Sequence, residues 1–163
     1  MRLGTNLCSA HVCPCGENVD SRGIHGLACR RSAGRHLRHT LINDTIWRAL
    51  GRAQVAAVKE PLGLLRSDGK RSDGATIVPW ARGKCLTWDA TTPDTLAQSH
   101  LAVTAVNAGA AAAKSAALKH SKYASISATH IFVPVAVETL GPWNLEGLNF
   151  IKELGSKTIQ SHI

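Results

Sequence analysis

From about Gly34 to Ala57, apolar residues recur at helical spacing: Leu37, Leu41, Ile42, Ile46, Ala49 and Leu50. Arg35, Arg38, Arg48 and Arg52 fall elsewhere around the same turns, so the pattern predicts an amphipathic helix. Pro61, directly after Glu60, breaks it. Beyond this point the period shortens, and Leu62–Leu65, Ala75–Val78 and Lys84–Thr91 read as strands. Between the first two, the tetrapeptide RSDG occurs twice, at Arg66–Gly69 and Arg71–Gly74. Asp-Gly is a strong turn signal, and one copy is the expected turn. Thr95 with Gln98 three residues on makes a capping box. A long Ala-rich helix is predicted from there to about Tyr123, with Asn107-Ala108-Gly109 the place where it would be irregular. Thr129–Thr139 reads as a fourth strand whose Pro134 favours an edge or a bulge, and Asn144–Ser161 as a closing helix. Helix, three strands, helix, strand, helix predicts an α+β fold, a mixed sheet with helices packed on it.

The first 33 residues lack this patterning. They are rich in Cys, Gly, His and Arg and read as a small metal-stapled loop region ahead of a domain over residues 34–163. Four of the five cysteines fall in the first 29 residues beside His11 and His25. An odd count so arranged favours metal binding or free thiols in a reducing compartment over a disulfide framework. Cys13 and Cys15, then His25 after nine intervening residues and Cys29 after three more, form two close pairs able to meet around one structural zinc. One residue separates the first pair, where a knuckle usually has two, and Cys8 and His11 stand in reserve for either role.

The chain carries a formal charge of +8, which favours a phosphate-rich partner, nucleic acid before an acidic membrane surface. Aromatics are only 4%, against a single-strand binder built on stacking platforms. No run has the length of a membrane span, and the N-terminal residues lack a signal-peptide core.

Within this basic chain, Glu60, Asp73 and Asp89 stand out, a Glu followed by two strand segments that each carry an Asp. Acidic groups on neighbouring strands suit a hard divalent cation such as Mg²⁺ or Mn²⁺, which can polarise a phosphodiester and activate water. Alternation along the third strand sets Cys85, Thr87, Asp89 and Thr91 on one face and Leu86, Trp88 and Ala90 on the other. An Asp on an interior strand is costly unless paired or metal-bound. Asp73 runs directly into the second strand, whereas Asp68 sits at the hairpin tip, so Asp73 is the better ligand. Glu60 is placed at the end of the first helix, either as a third oxygen donor or as a solvated helix-end residue.

This order resembles the PD-(D/E)xK nuclease core and, more narrowly, the restriction-like endonuclease domain of non-LTR retrotransposon polyproteins. That family carries a Cys-Cys-His-Cys element, matched by Cys13, Cys15, His25 and Cys29. Next come Arg-His beside an Asn or Asp, matched by Arg38-His39 and Asn43-Asp44. A basic residue, Pro and Asp follow, matched by Arg71-Ser72-Asp73, and a further acidic residue is matched by Asp89. The likeness spans about residues 8–125 and implies an αβββαβ restriction-endonuclease-like core behind a zinc-binding loop region. It implies a metal-dependent DNA nickase with Asp73, Asp89 and Glu60 at the cation, priming reverse transcription in an intact element; the reducing compartment read from the cysteines makes cytosol, then nucleus, the expected address. The implied partners are then DNA, a reverse transcriptase domain and the element's RNA, with Arg35, Arg38, His39 and Arg71 as DNA contacts and no membrane. The alternative is a catalytically inactive DNA-binding remnant or domesticated fragment. Two departures bear on this choice. Ser72 replaces the family's Pro, and Thr91 stands where (D/E)xK has its Lys. Lys84 falls on the wrong face. Of Lys114, Lys119 and Lys122 on the long helix, Lys119 would lie over ~30 Å beyond the cap, leaving Gln98 or His100 nearer Asp89. No lysine is assigned from the sequence.

Overall fold

The computed structural model describes residues 4–64, 69 and 71–161. A two-stranded hairpin, β1 (His11–Val12) and β2 (Asn18–Val19), and a single-turn helix α1 (His25–Ala28) make a small N-terminal lobe. Helix α2 (Ala33–Arg52) follows, then strands β3 (Ala57–Lys59), β4 (Gly74–Thr76) and β5 (Leu86–Thr91). Helices α3 (Gln98–Thr104) and α4 (Ala110–Lys122), strand β6 (Ile131–Ala136) and helix α5 (Leu145–Gln160) complete the chain. The four main strands form one mixed sheet in the order β3-β4-β5-β6. The β3/β4 and β4/β5 pairs are antiparallel, and β5/β6 is parallel over six residues, Leu86 opposite Ile131 through Thr91 opposite Ala136. The α+β class and the mixed sheet read from the sequence are what the chain adopts.

Strand alternation sorts the sheet into two faces. Leu86 and Trp88 of β5 and Val133 and Val135 of β6 pack against Ile46 and Leu50 of α2 and Phe150 and Leu154 of α5. The opposite face carries Thr87 and Asp89 and is covered by α4, whose Ala111, Ala112 and Ala116 are buried. Alanines let α4 approach closely, and Tyr123 just past its end stacks on Phe132 at 4.4 Å between ring centroids. Trp88 fills the space over β4 so completely that a Cβ on Gly74 would come within 2.1 Å of its ring. The indole N–H donates to Asn43 Oδ1 at 2.8 Å, tying α2 to the centre of the sheet. Pro134 lies in β6, an edge strand, where a missing N–H is tolerated.

Four expectations differ from the fold. The first helix stops at Arg52, because Gln54 takes a left-handed conformation (φ 58°) and turns the chain into β3. That strand, not Leu62–Leu65, is the sheet's first, and Glu60 follows a strand instead of ending a helix. Leu65 and Asp68, with their proposed strand and turn roles, lie outside the described residues. Thr95 does not cap a helix at Gln98; its hydroxyl accepts the Leu140 amide, and α3 starts without a side-chain cap. Most consequential, the long Ala-rich helix is two helices. Gly109 (φ 87°) reverses the chain between α3 and α4, and the two then pack on each other.

Candidate functional site

The N-terminal lobe gathers its ligands locally. Cys13 and Cys15 sit in the β1–β2 turn, which Gly16 closes in a left-handed conformation (φ 97°) as its N–H donates to the Cys13 carbonyl at 2.8 Å. His25 opens α1 and Cys29 follows its end. The Sγ and imidazole nitrogen atoms of Cys13, Cys15, His25 and Cys29 all lie within 4.8 Å of one another. Cys13 Sγ and Cys29 Sγ are 3.7 Å apart, close to the edge of about 3.8 Å that zinc–sulfur bonds of ~2.3 Å set for a tetrahedron. Cys15 Sγ is 3.1 Å from His25 Nε2. The Glu17 backbone N–H and the neighbouring Cys13, Cys29 and His25 side chains draw the Cys15 thiol down to about 7 against the opposing effect of burial, so the thiolate a metal needs is accessible near neutral pH. The Arg31 N–H donates to Cys29 Sγ at 3.4 Å. This four-residue cluster could hold a metal such as zinc. Neither reserve residue joins it: Cys8 Sγ faces the Asp20 carbonyl, and His11 Nδ1 the Ser9 carbonyl.

At the β4/β5 end of the sheet the two aspartates stand side by side, each held by groups from the helices. Asp73 immediately precedes β4, and its N–H donates to the Trp88 carbonyl at 3.1 Å. Its Oδ2 accepts the Ala90 N–H at 2.6 Å and lies 3.0 Å from His39 Nε2 of α2. The hydrogen bond to Asp73 holds the His39 imidazole above the usual histidine range, against partial burial, with the charges of Asp73 and then Asp89 adding to it. Asp89 is nearly buried, its side chain 5% exposed. Lys119 Nζ of α4 reaches its Oδ1 at 2.5 Å, and the Tyr123 hydroxyl donates to its Oδ2. Tyr123 also donates to the Arg71 carbonyl at 3.0 Å.

Placement of the remaining sequence-predicted residues is mixed. Glu60 donates its backbone N–H to the Asp73 carbonyl at 3.0 Å, but its side chain is exposed. Among the described residues the cysteine–histidine set forms the one cluster of three or more such ligands, so Asp73, Asp89 and Glu60 do not converge as a triad. Arg35 is exposed on the first turns of α2, and Arg71 is exposed beside Asp73. Arg38 instead donates to the Leu27 carbonyl at 2.6 Å and anchors the N-terminal lobe on α2. Ser72, in the family's Pro position, is buried and accepts a hydrogen bond from Thr87 at 2.8 Å. Thr91 lines the cleft above the aspartates and places no amine there.

Lys119 is the lysine that reaches Asp89, and its expected place over ~30 Å beyond the cap is corrected by the break at Gly109. Counted from the start of α4, Lys119 is about 14 Å along a second helix that passes over Asp89. Tyr123 was missed altogether. The available signal was its spacing four residues after Lys119, which puts both side chains on one helical face. Glu138 was also missed. Buried just beyond β6, its Oε1 accepts the Ala111 and Ala112 N–H groups at 2.9 and 3.2 Å and fixes the start of α4.

A cleft of about 460 Å³ opens over this cluster, lined by Arg30, Arg35, His36, His39, Thr92 and Lys119 among others. Its rim is basic, and Lys119 and His39, which line it, hold the carboxylates of Asp89 and Asp73 behind it, so the opening suits a phosphate. No family model matches the chain, and no curated protein matches it.

Proposed function

We propose that this chain is a divalent-metal-dependent DNA endonuclease domain of the PD-(D/E)xK type, similar to the restriction-like nickase domains of non-LTR retrotransposons. The observation that carries the reading is Lys119 on Asp89 and His39 on Asp73, with Lys119 and His39 both lining a basic cleft. A helix, three antiparallel strands, helices and a strand parallel to the third support the same core. Asp73 and Asp89 fit a Mg²⁺ or Mn²⁺ ion, since Mg²⁺ is commonly held by one or two carboxylates with waters and substrate phosphate completing its shell. Bound there, such an ion would supply Lewis-acid polarisation of the phosphodiester and a lowered pKa for the attacking water.

The chain's own groups divide the remaining work. Lys119 supplies the positive charge that the missing Lys at position 91 would have given, next to the phosphate whose negative charge grows in the transition state. The Tyr123 hydroxyl fixes the rotamer of Asp89, and His39 with the Ala90 amide fixes that of Asp73. Arg35 and Arg30 hold the DNA backbone without reading bases. The N-terminal lobe, with zinc at Cys13, Cys15, His25 and Cys29, is structural, because all four ligands come from the protein.

Exposure of the Glu60 side chain favours a second reading, a binding domain that no longer cuts for want of a third carboxylate. Supercoiled plasmid incubated with zinc-loaded protein and Mg²⁺ or Mn²⁺ separates the two. The nuclease reading expects open-circle DNA from the wild type and none from Asp73→Ala/Asp89→Ala. Retardation of DNA by both proteins with no nicking by either would leave the binding domain standing alone.

A further inference from the structure

We infer that the tight hairpin from Trp80 to Lys84 carries a nucleotide-binding pocket, a second contact for nucleic acid that holds whether or not the chain cuts. In this hairpin the Trp80 N–H donates to the Lys84 carbonyl at 2.8 Å, and the Lys84 N–H to the Ala81 carbonyl at 2.9 Å. The two residues at its tip, Arg82 and Gly83, both have positive φ, 51° and 72°. Such a turn favours Asn or Gly at its first position, and an arginine there is strained. No internal contact offsets the strain: among the described residues the Arg82 side chain makes no hydrogen bond or ion pair. A strained residue kept without an internal partner points to a ligand.

Arg82 lines a cavity with Trp80, Lys84, His130, Phe132 and Glu153. The cavity also touches Ile131, which pairs with Leu86 at the start of β5, whereas Thr91, at the strand's other end, lines the cleft that holds Lys119. At ~3.3 Å per residue the two sites stand roughly 16 Å apart along the sheet. The cavity's walls are set in place. Trp80 meets the core residue Phe150 edge to face, 5.6 Å between ring centroids. Lys84 Nζ donates to the Ser127 carbonyl at 3.3 Å, and His130 Nδ1 lies 2.9 Å from Thr129 Oγ1. Three kinds of group meet there. Arg82, Lys84 and His130 suit a phosphate, and Lys157, its Nζ 4.7 Å over the Trp80 ring, adds a further cation. Trp80 offers π surface to a base. Glu153, the one carboxylate lining the cavity among the described residues, is an acceptor of the kind that takes the amino group of cytosine. An acidic peptide would satisfy the cations but repel Glu153 and leave the indole without a partner. The three together select phosphate and base in one ligand, a nucleotide.

The test titrates the full chain with dCMP, deoxycytidine or inorganic phosphate and follows the tryptophan indole N–H signals by two-dimensional proton–nitrogen NMR. The Trp80 signal is the one lost in Trp80→Phe. dCMP is expected to shift it and to leave that of Trp47, which borders a separate cavity, in place. Deoxycytidine and inorganic phosphate should each bind at least about tenfold more weakly. Arg82→Asn puts a favoured turn residue at the strained position, so it should raise the melting temperature by roughly 2–4 °C while costing about tenfold in dCMP affinity. Arg48→Ala, beside Trp47 in the other cavity, leaves dCMP affinity unchanged. Inorganic phosphate binding as tightly as dCMP, or a dCMP shift absent from Trp80, overturns the inference. So does an Arg82→Asn protein that melts lower than wild type or binds dCMP equally well. Nicking is scored separately. A chain that nicks plasmid without a Trp80 shift keeps the nuclease and loses the pocket, whereas dCMP binding at Trp80 without nicking keeps the pocket and sinks the nuclease.

Discussion

Lys119 and His39 are the two residues that pair with the aspartates, Lys119 with Asp89 and His39 with Asp73. Lys119 is the amine on Asp89, a carboxylate almost wholly out of water, so Lys119→Met leaves a buried charge with only the Tyr123 hydroxyl. Breaking a buried pair of this kind costs about 3 kcal/mol. A urea midpoint should register that loss, and nicking should fall by at least about a hundredfold, as expected when a group aimed at developing charge is removed. Lys119→Arg, which restores charge without the same reach, is expected to recover stability and not activity. His39 makes a pH-dependent prediction. The hydrogen bond to Asp73 raises its folded-state value, so protonation is favoured by folding. The stabilisation is fully present below the ordinary histidine value of about 6.5 and is lost as pH rises through the raised value. Wild type and His39→Ala should therefore differ in urea midpoint at acid pH and converge at alkaline pH. In Asp73→Asn, proton NMR should find the His39 titration moved down toward the ordinary value.

At the scale of elements, what the sequence made legible was whatever repeats. The alternation Thr87, Asp89 against Leu86, Trp88 placed the carboxylate on the face opposite the apolar core, and the structure keeps that division. The closing helix, predicted over Asn144–Ser161, is found at Leu145–Gln160. What could not be read was where periodic patterns are cut by single backbone angles. Ala57-Val58-Lys59 continues a helical pattern as easily as it starts a strand, and the left-handed turn at Gln54 decides between them. Gly109 does the same between α3 and α4, and with it the address of Lys119. Its φ of 87° and a Trp143 carbonyl 3.3 Å from any added Cβ make Gly109→Ala a strained substitution. A residue with a side chain costs about 1–2 kcal/mol in that region, and the larger consequence expected is a loss of nicking out of proportion to the drop in melting temperature, because α4 carries the lysine. Gly74→Ala is the contrasting case. A methyl 2.1 Å from the Trp88 ring must displace the indole from Asn43, so thermal unfolding should report about 3 kcal/mol or more of lost stability.

The whole molecule is a basic chain in two parts that meet along the cleft, and the junction depends on local chemistry in the smaller part. The N-terminal lobe has little apolar core: Val19 and Cys29 are its buried hydrophobic residues among those described, and Arg38 on the Leu27 carbonyl is its polar tether to α2. A lobe built this way would take its order from a metal at the four ligands that could hold one, whereas the sheet domain has Trp88, Leu50 and Phe150 to hold itself together. Stripping zinc with a chelator, or replacing Cys13 and Cys29 with Ser, should therefore leave the far-ultraviolet dichroism of the sheet domain largely intact. Limited proteolysis should then cut within residues 13–33, and DNA affinity should drop as the wall carrying Arg30 is lost. Readding Zn²⁺ should restore protection and binding in the chelated protein but not in the Cys→Ser protein. If instead both parts unfold together on chelation, the lobe contributes to the core's stability through α2, and the tether at Arg38 is the first contact to sever.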